Sequence, residues 1–122
     1  MSHNIIELKF DGNVPSKKNS RVRTKSGSSI PSKAFYDWQE AALLQTKMQT
    51  RARGLTNVAV EVIIYFGTNV RADLDNRLTS VLDMLVEGLV LRDDKWQDVP
   101  RLQVQAEYRK KQPGAFVRIT QL

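Results

Sequence analysis

The chain has no cysteine and only one histidine, His3, close to its first residue. The first absence removes disulfides, thiolate nucleophiles and cysteine-type zinc sites. The second argues against a Ser-His-Asp triad, a histidine general base or a histidine-rich metal site. Any catalysis must therefore come from Asp, Glu, Lys, Ser, Thr or Tyr, with or without a metal ion. No apolar run is long enough to span a bilayer, and Met1-Ser2-His3-Asn4 lacks a signal-peptide pattern. The expectation is a cytoplasmic protein with no membrane partner. Acidic residues are scarce in one further place: none occurs between Asp11 and Asp37.

What is present is an ordinary globular composition with an excess of positive charge. At 122 residues, 41% hydrophobic and 26% charged, the chain fits one domain with one core over residues 1–122. Nineteen Lys and Arg against 13 Asp and Glu give a net charge of +6. Such a balance favours polyanionic partners, because each phosphate neutralised by a basic side chain releases counterions. A basic surface that only keeps the protein soluble is the plainer alternative.

The pattern along the chain predicts an α+β fold: a single mixed β-sheet with two helices packed mainly on one face, in the order β-α-β-α-β-β. Ile6, Leu8 and Phe10 alternate with polar residues in a first strand. A polar segment over about 12–31 follows and is expected to be a basic mobile loop. Its Lys17, Lys18, Arg21 and Arg23 are candidates for contacting a phosphate backbone. Ser32 is suited to cap a helix from Lys33 to about Arg53, with Gly54 as its stop. The predicted core stripe of that helix is Ala34, Trp38, Ala41, Leu44, Met48 and Ala52. Val58 to Phe66 reads as a central strand, apolar on both faces. A second helix, Leu78 to Glu87, is closed by Gly88, with Leu78, Val81, Leu82, Leu85 and Leu89 inward. Leu102, Val104, Ala106 and Tyr108 alternate in a third long strand. Gln112-Pro113-Gly114 reads as a turn before a last strand, Ala115 to Thr120.

The chemistry-bearing residues fall on either side of the second helix. Asp73, Asp75 and Asn76 precede it, bracketed by Arg71 and Arg77, and Asp93, Asp94 and Lys95 follow it. Two aspartates at i and i+2 share a face on extended backbone but not within a helix. An aspartate just before a helix is also a natural N-cap, and adjacent aspartates suit turns. If the acids converge, by a return of the short apolar segment after the helix, they need a cation to offset their repulsion. An all-oxygen set suits Mg²⁺ or Mn²⁺, and guanidinium groups beside it suit phosphate oxygens. Such a site would hydrolyse a phosphodiester backbone through a metal-activated water, without a covalent protein intermediate.

The runs Arg71-Ala72-Asp73-Leu74-Asp75-Asn76, Leu82-Asp83-Met84-Leu85 and Gly88 to Asp94, with the earlier Val14-Pro15-Ser16-Lys17-Lys18-Asn19 and Pro31-Ser32, together resemble the RusA family of Holliday junction resolvases. The resemblance covers nearly the whole chain. It implies that Asp73, Asp75 and Asp94 bind catalytic Mg²⁺, that Asn76 is an active-site residue and that Asp93 is an adjacent acidic position. It also implies a homodimer cutting symmetric strands of branched DNA, four-way junctions, in recombination and repair, and a family often encoded by phages or prophages. One departure is visible. Family members can carry a lysine four residues after the second aspartate, where this chain has Thr79; Lys95 or Arg77 is then the available cation. The alternatives in other classes are a non-catalytic module that binds branched DNA, and a nuclease acting on other branched DNA or on RNA.

Overall fold

The computed structural model describes residues 5–16, 21–23, 27 and 29–122. Its main sheet is four-stranded and mixed: β1 (Ile5–Asp11), β4 (Val58–Phe66), β5 (Arg101–Tyr108) and β6 (Gly114–Gln121), in the spatial order β1-β6-β4-β5. β6 runs antiparallel to both neighbours, and β4 and β5 are parallel. Two helices, α1 (Lys33–Gln49) and α2 (Leu74–Glu87), complete the predicted β-α-β-α-β-β order. The segment expected to be loop also holds two short strands, β2 (Arg21–Arg23) and β3 (Ser29–Pro31), paired as a separate antiparallel ribbon. Among the described residues no helix is long and apolar enough to cross a membrane.

The pleat sorts side chains onto two sheet faces, and register fixes which ones meet. Leu8 lies beside Val117 and Val117 beside Val62; Ile119 lies beside Val60. These residues are fully buried and join Trp38 and Ala42 of α1 and Val81, Met84 and Leu85 of α2 in one cluster. Each fully buried Leu, Val or Ile contributes about 1.5–3 kcal/mol relative to an exposed one. The other face is polar and partly wet, held by the Glu7–Arg118 ion pair at 2.9 Å and by Arg109 stacked 3.7 Å over Tyr65. Both helices therefore lie on the apolar face.

Helix α1 departs from the predicted stripe. Phe35, Trp38, Ala42 and Thr46 are the buried residues, whereas Leu44 and Met48 (79% exposed) point to solvent. The stripe is displaced because α1 uses its polar side chains as well: Gln45 and Gln49 bond to the backbone of β1. Ser32 does cap the helix, its Oγ accepting from Phe35 N–H at 3.3 Å. The helix ends at Gln49 with Thr50 in an extended conformation, so Gly54 is not its stop. Gly54, at φ 62°, donates instead to Leu89 O at 2.8 Å.

Helix α2 begins four residues earlier than its periodicity suggests, at Leu74. Its end is a paired-bond cap: Leu89 N–H donates to Val86 O and Val90 N–H to Leu85 O. The left-handed residue of that cap is Leu89, at φ 66°, and not Gly88. Leu89 is 60% exposed, outside the core expected of it. Gly88 serves close packing, since a Cβ there would come within 3.1 Å of Leu43 Cδ2. The turn before β6 is likewise shifted. Gln112 N–H donates to Arg109 O, Lys111 takes φ 60°, and Gly114 is already in the strand, where a Cβ would meet Phe10 O at 2.5 Å.

Candidate active site

Asp73 is the N-cap of α2 by position, with extended dihedrals, yet its carboxylate makes no side-chain cap hydrogen bond. Its Oδ2 accepts instead from Asn76 Nδ2 at 3.1 Å. Asp75 lies in the first helical turn, where its Oδ1 accepts from Asn76 N–H at 2.9 Å. Asn76 thus joins the two acids: it holds one with its side chain and the other with its backbone. Asp75 also benefits from the positive end of the helix dipole. Arg77 donates from Nη1 to Asp73 O at 3.2 Å, and its guanidinium sits 5.6 Å from the centre of the Phe66 ring. Val70, Arg71, Ala72, Asp73 and Arg77 line an open polar recess. Asp73 and Asp75 are both exposed, and of the two Asp73 lines the recess.

At Thr79 the hydroxyl donates to Asp75 O at 3.1 Å, closing the helix on itself without supplying charge. One residue on, Ser80 is buried and donates from Oγ to Pro15 O at 2.6 Å. Val14 and Ser16 are buried with it. The start of the basic segment is therefore fixed to the second turn of α2. No pattern in the sequence points to Ser80, because a lone serine in a helix looks like any solvated one. Lys17 and Lys18, next in the chain, lie outside the described residues. Arg21 and Arg23 have their backbone in β2, and only their backbone is described.

The second acidic group is organised separately. Asp93 Oδ1 accepts from Asp94 N–H at 2.8 Å, and Lys95 Nζ lies 3.4 Å from Asp93 Oδ2. The Asp94 N–H and the Lys95 ammonium together hold the Asp93 carboxyl below its ordinary value of 3.8. Asp94 is exposed.

Within one chain the two groups do not meet. Arg92 N–H donates to Leu55 O at 2.9 Å, and Asp98 O accepts from Val58 N–H at 3.0 Å. Asp94, between these anchors, is tied to the start of β4. Arg77, over Phe66, marks the far end of that strand. The groups occupy opposite ends of α2, whose 14 residues span roughly 20 Å. The apolar segment expected to carry Asp94 back is spent otherwise: Val90 and Leu91 are buried, and Leu91 bridges to Leu55. Among the described residues no three acids lie close enough to hold a metal ion.

The donor chemistry at the first group nevertheless fits a hard cation. Mg²⁺ is commonly held by one or two carboxylates with water and substrate oxygens completing its shell. Asp73 and Asp75 supply that number, and Asp73 lines an open recess together with Arg71 and Arg77. Compared with known proteins, the chain matches the family model described as Endodeoxyribonuclease RusA over residues 11–120 of 122. No curated protein matches it.

Proposed function

Since the chain belongs to the RusA endodeoxyribonuclease family, we propose that it is a Mg²⁺-dependent endonuclease resolving four-way DNA junctions in recombination and repair. The observation that carries the reading is the Asp73–Asn76–Asp75 arrangement. Asn76 holds two exposed carboxylates at a helix N-terminus, Asp73 through its side-chain amide and Asp75 through its backbone N–H, with Arg71 and Arg77 beside Asp73. Capping alone does not account for it, since Asp73 leaves the cap hydrogen bond unmade.

The protein works as a homodimer, and each site is completed by the partner subunit's Asp94. The separation of the two acidic groups along α2 motivates this. A shared cation needs its oxygen ligands within about 2.0–2.6 Å of itself, which the two ends of one helix do not permit. A two-fold dimer also suits a junction, which offers two related scissile bonds. Manganese is an acceptable substitute for magnesium at such a donor set.

Asp73 and Asp75, with the partner subunit's Asp94, hold the ion, and Asp93 keeps Asp94 in place through its backbone N–H. Bound there, Mg²⁺ supplies an activated water and offsets charge on the leaving oxygen. Asn76 fixes the carboxylates, while Arg71 and Arg77 bind the scissile phosphate. Lys95, beside Asp93, takes a neighbouring phosphate. Lys17, Lys18, Arg21 and Arg23 hold flanking backbone. A cytoplasmic setting, encoded by host or phage, belongs to the same reading.

The test is cleavage of a synthetic four-way junction. Asp75→Asn is expected to abolish Mg²⁺-dependent cutting while leaving junction binding intact, and so is Asp94→Asn. Mixing the two inactive proteins should restore nicking, because one of the two sites in each mixed dimer is whole. Unchanged cleavage by Asp75→Asn removes the metal reading. A second reading has one observation in its favour: among the described residues no three acids of one chain gather, which suits a junction-binding module that never cuts. Such a module would bind the junction as wild type without nicking it.

A further inference from the structure

The two outer strands of the sheet are finished differently. Along β1, helix α1 closes the outward backbone. Gln49 donates to Lys9 O at 2.7 Å and accepts from Lys9 N–H at 2.8 Å, and Gln45 accepts from Asp11 N–H at 3.0 Å. Along β5 no described side chain does the same. β5 pairs with β4 on one side, without a break, from Ala59–Arg101 to Phe66–Tyr108. It contains no proline, no lysine and no bulge, the devices by which outer strands usually avoid pairing. Its helix-side residues continue the core face beyond the helices, leaving Leu102 43% and Tyr108 57% exposed.

We propose that β5 is the surface on which a second copy of this chain docks, the two strands pairing antiparallel about a two-fold axis at Val104. One continuous sheet of eight strands results, four from each copy. The sequence of β5 argues for both partner and register. In an antiparallel pair, opposed residues have the same parity, so the axis passes through a residue rather than between two. With the axis at Val104, Arg101 opposes Glu107 of the partner subunit and Gln103 opposes the partner's Gln105. On the helix side Leu102 opposes the partner's Ala106, and the two copies of Val104 meet. Moving the axis to Gln105 would oppose Arg101 to the partner's Arg109, a like-charge pair that costs stability. The strand is thus complementary to itself in charge, in amide pairing and in apolar contact.

This surface rests on the dimeric reading above and deepens it. β5 starts at the end of β4 where Asp94 is tied, and finishes beside Phe66, under Arg77. Pairing two copies antiparallel sets the Asp94 end of each beside the Asp73 and Asp75 end of the other, which is the juxtaposition a completed site requires.

The chain has no cysteine, so a single introduced one reports on this geometry directly. Opposed antiparallel residues have Cα atoms about 4.5–5.5 Å apart, inside the span a disulfide accepts. Val104→Cys should therefore give a covalent dimer on mild oxidation, with junction cleavage retained. Ala106→Cys should not, since its own copy lies about 13 Å along the strand. Independently, Arg101→Glu and Glu107→Arg should each raise the dimer Kd roughly 5- to 30-fold, and the double exchange should restore it. A chain that is dimeric by sedimentation, but neither cross-links at residue 104 nor responds to the exchange, overturns β5 as the surface while leaving the dimeric resolvase standing. A monomer that cleaves junctions at full rate overturns both.

Discussion

Asn76 donates its side-chain amide to Asp73 Oδ2 at 3.1 Å while its backbone N–H holds Asp75 Oδ1 at 2.9 Å. One residue therefore ties both carboxylates to the start of α2. Removing the side-chain amide releases the Asp73 carboxylate, while the backbone N–H still holds Asp75. Groups that orient metal ligands typically matter about 10–100-fold in metal affinity or activity. Asn76→Ala is accordingly expected to raise the Mg²⁺ concentration for half-maximal junction cleavage by that order, with helix content unchanged. A Mg²⁺ titration superimposable on wild type would remove Asn76 from the site.

Asp93 gives a pH prediction. The Asp94 N–H and Lys95 favour its ionised form, so its folded pKa lies below 3.8. A depressed carboxylate contributes stability that is complete above the unfolded pKa and is lost as pH falls through the folded one. The loop from Arg92 to Lys95 should thus keep its arrangement until the pH drops below 3.8. Carbon-detected NMR titration of the Asp93 carboxyl should place its midpoint beneath that value. In Lys95→Ala the midpoint should move upward.

Leu89 carries a conformational cost in the cap of α2. A non-glycine residue in the left-handed region costs about 1–2 kcal/mol, partly offset because glycine loses about 0.5–1 kcal/mol more entropy on folding. Leu89 is largely exposed, so little packing goes with it. Leu89→Gly should stabilise the protein by about 0.5–1 kcal/mol in urea denaturation. A drop in stability would show that the leucine side chain has a partner, such as a second subunit.

The basic segment can be tested through salt. Lys17→Ala with Lys18→Ala should weaken junction binding and reduce the slope of log K against log salt by up to about one unit for each phosphate left without its lysine. Because Ser80 fixes Pro15 to α2, Ser80→Ala should weaken binding as well, by loosening the segment rather than by removing charge. An unaltered slope in the double lysine variant would mean that these residues face solvent only.

The strands are legible in the sequence where side-chain alternation is strong. Val58 to Phe66 is β4 to the residue, because a strand buried along its length needs apolar residues at every inward position. The helices are less so. Periodicity in α1 points to Leu44 and Met48, but the buried face is chosen by Phe35 and Trp38 and by the glutamines that reach β1. Local pattern does not register a hydrogen bond made to a strand some 34–40 residues away in sequence.

By itself the sequence narrowed the chemistry on offer, since a chain without cysteine and with a single histidine has chiefly oxygen ligands to give a metal. It also determined the family, through short runs whose spacing is read directly. Only the tertiary structure decided where Asp94 stands relative to Asp73 and Asp75. A helix of 14 residues has a fixed rise, and burial of Val90 and Leu91 against the start of β4 leaves the two acidic groups at its opposite ends. Spacing along a chain says which groups are available; the rigid length of the element between them says whether they can share an ion.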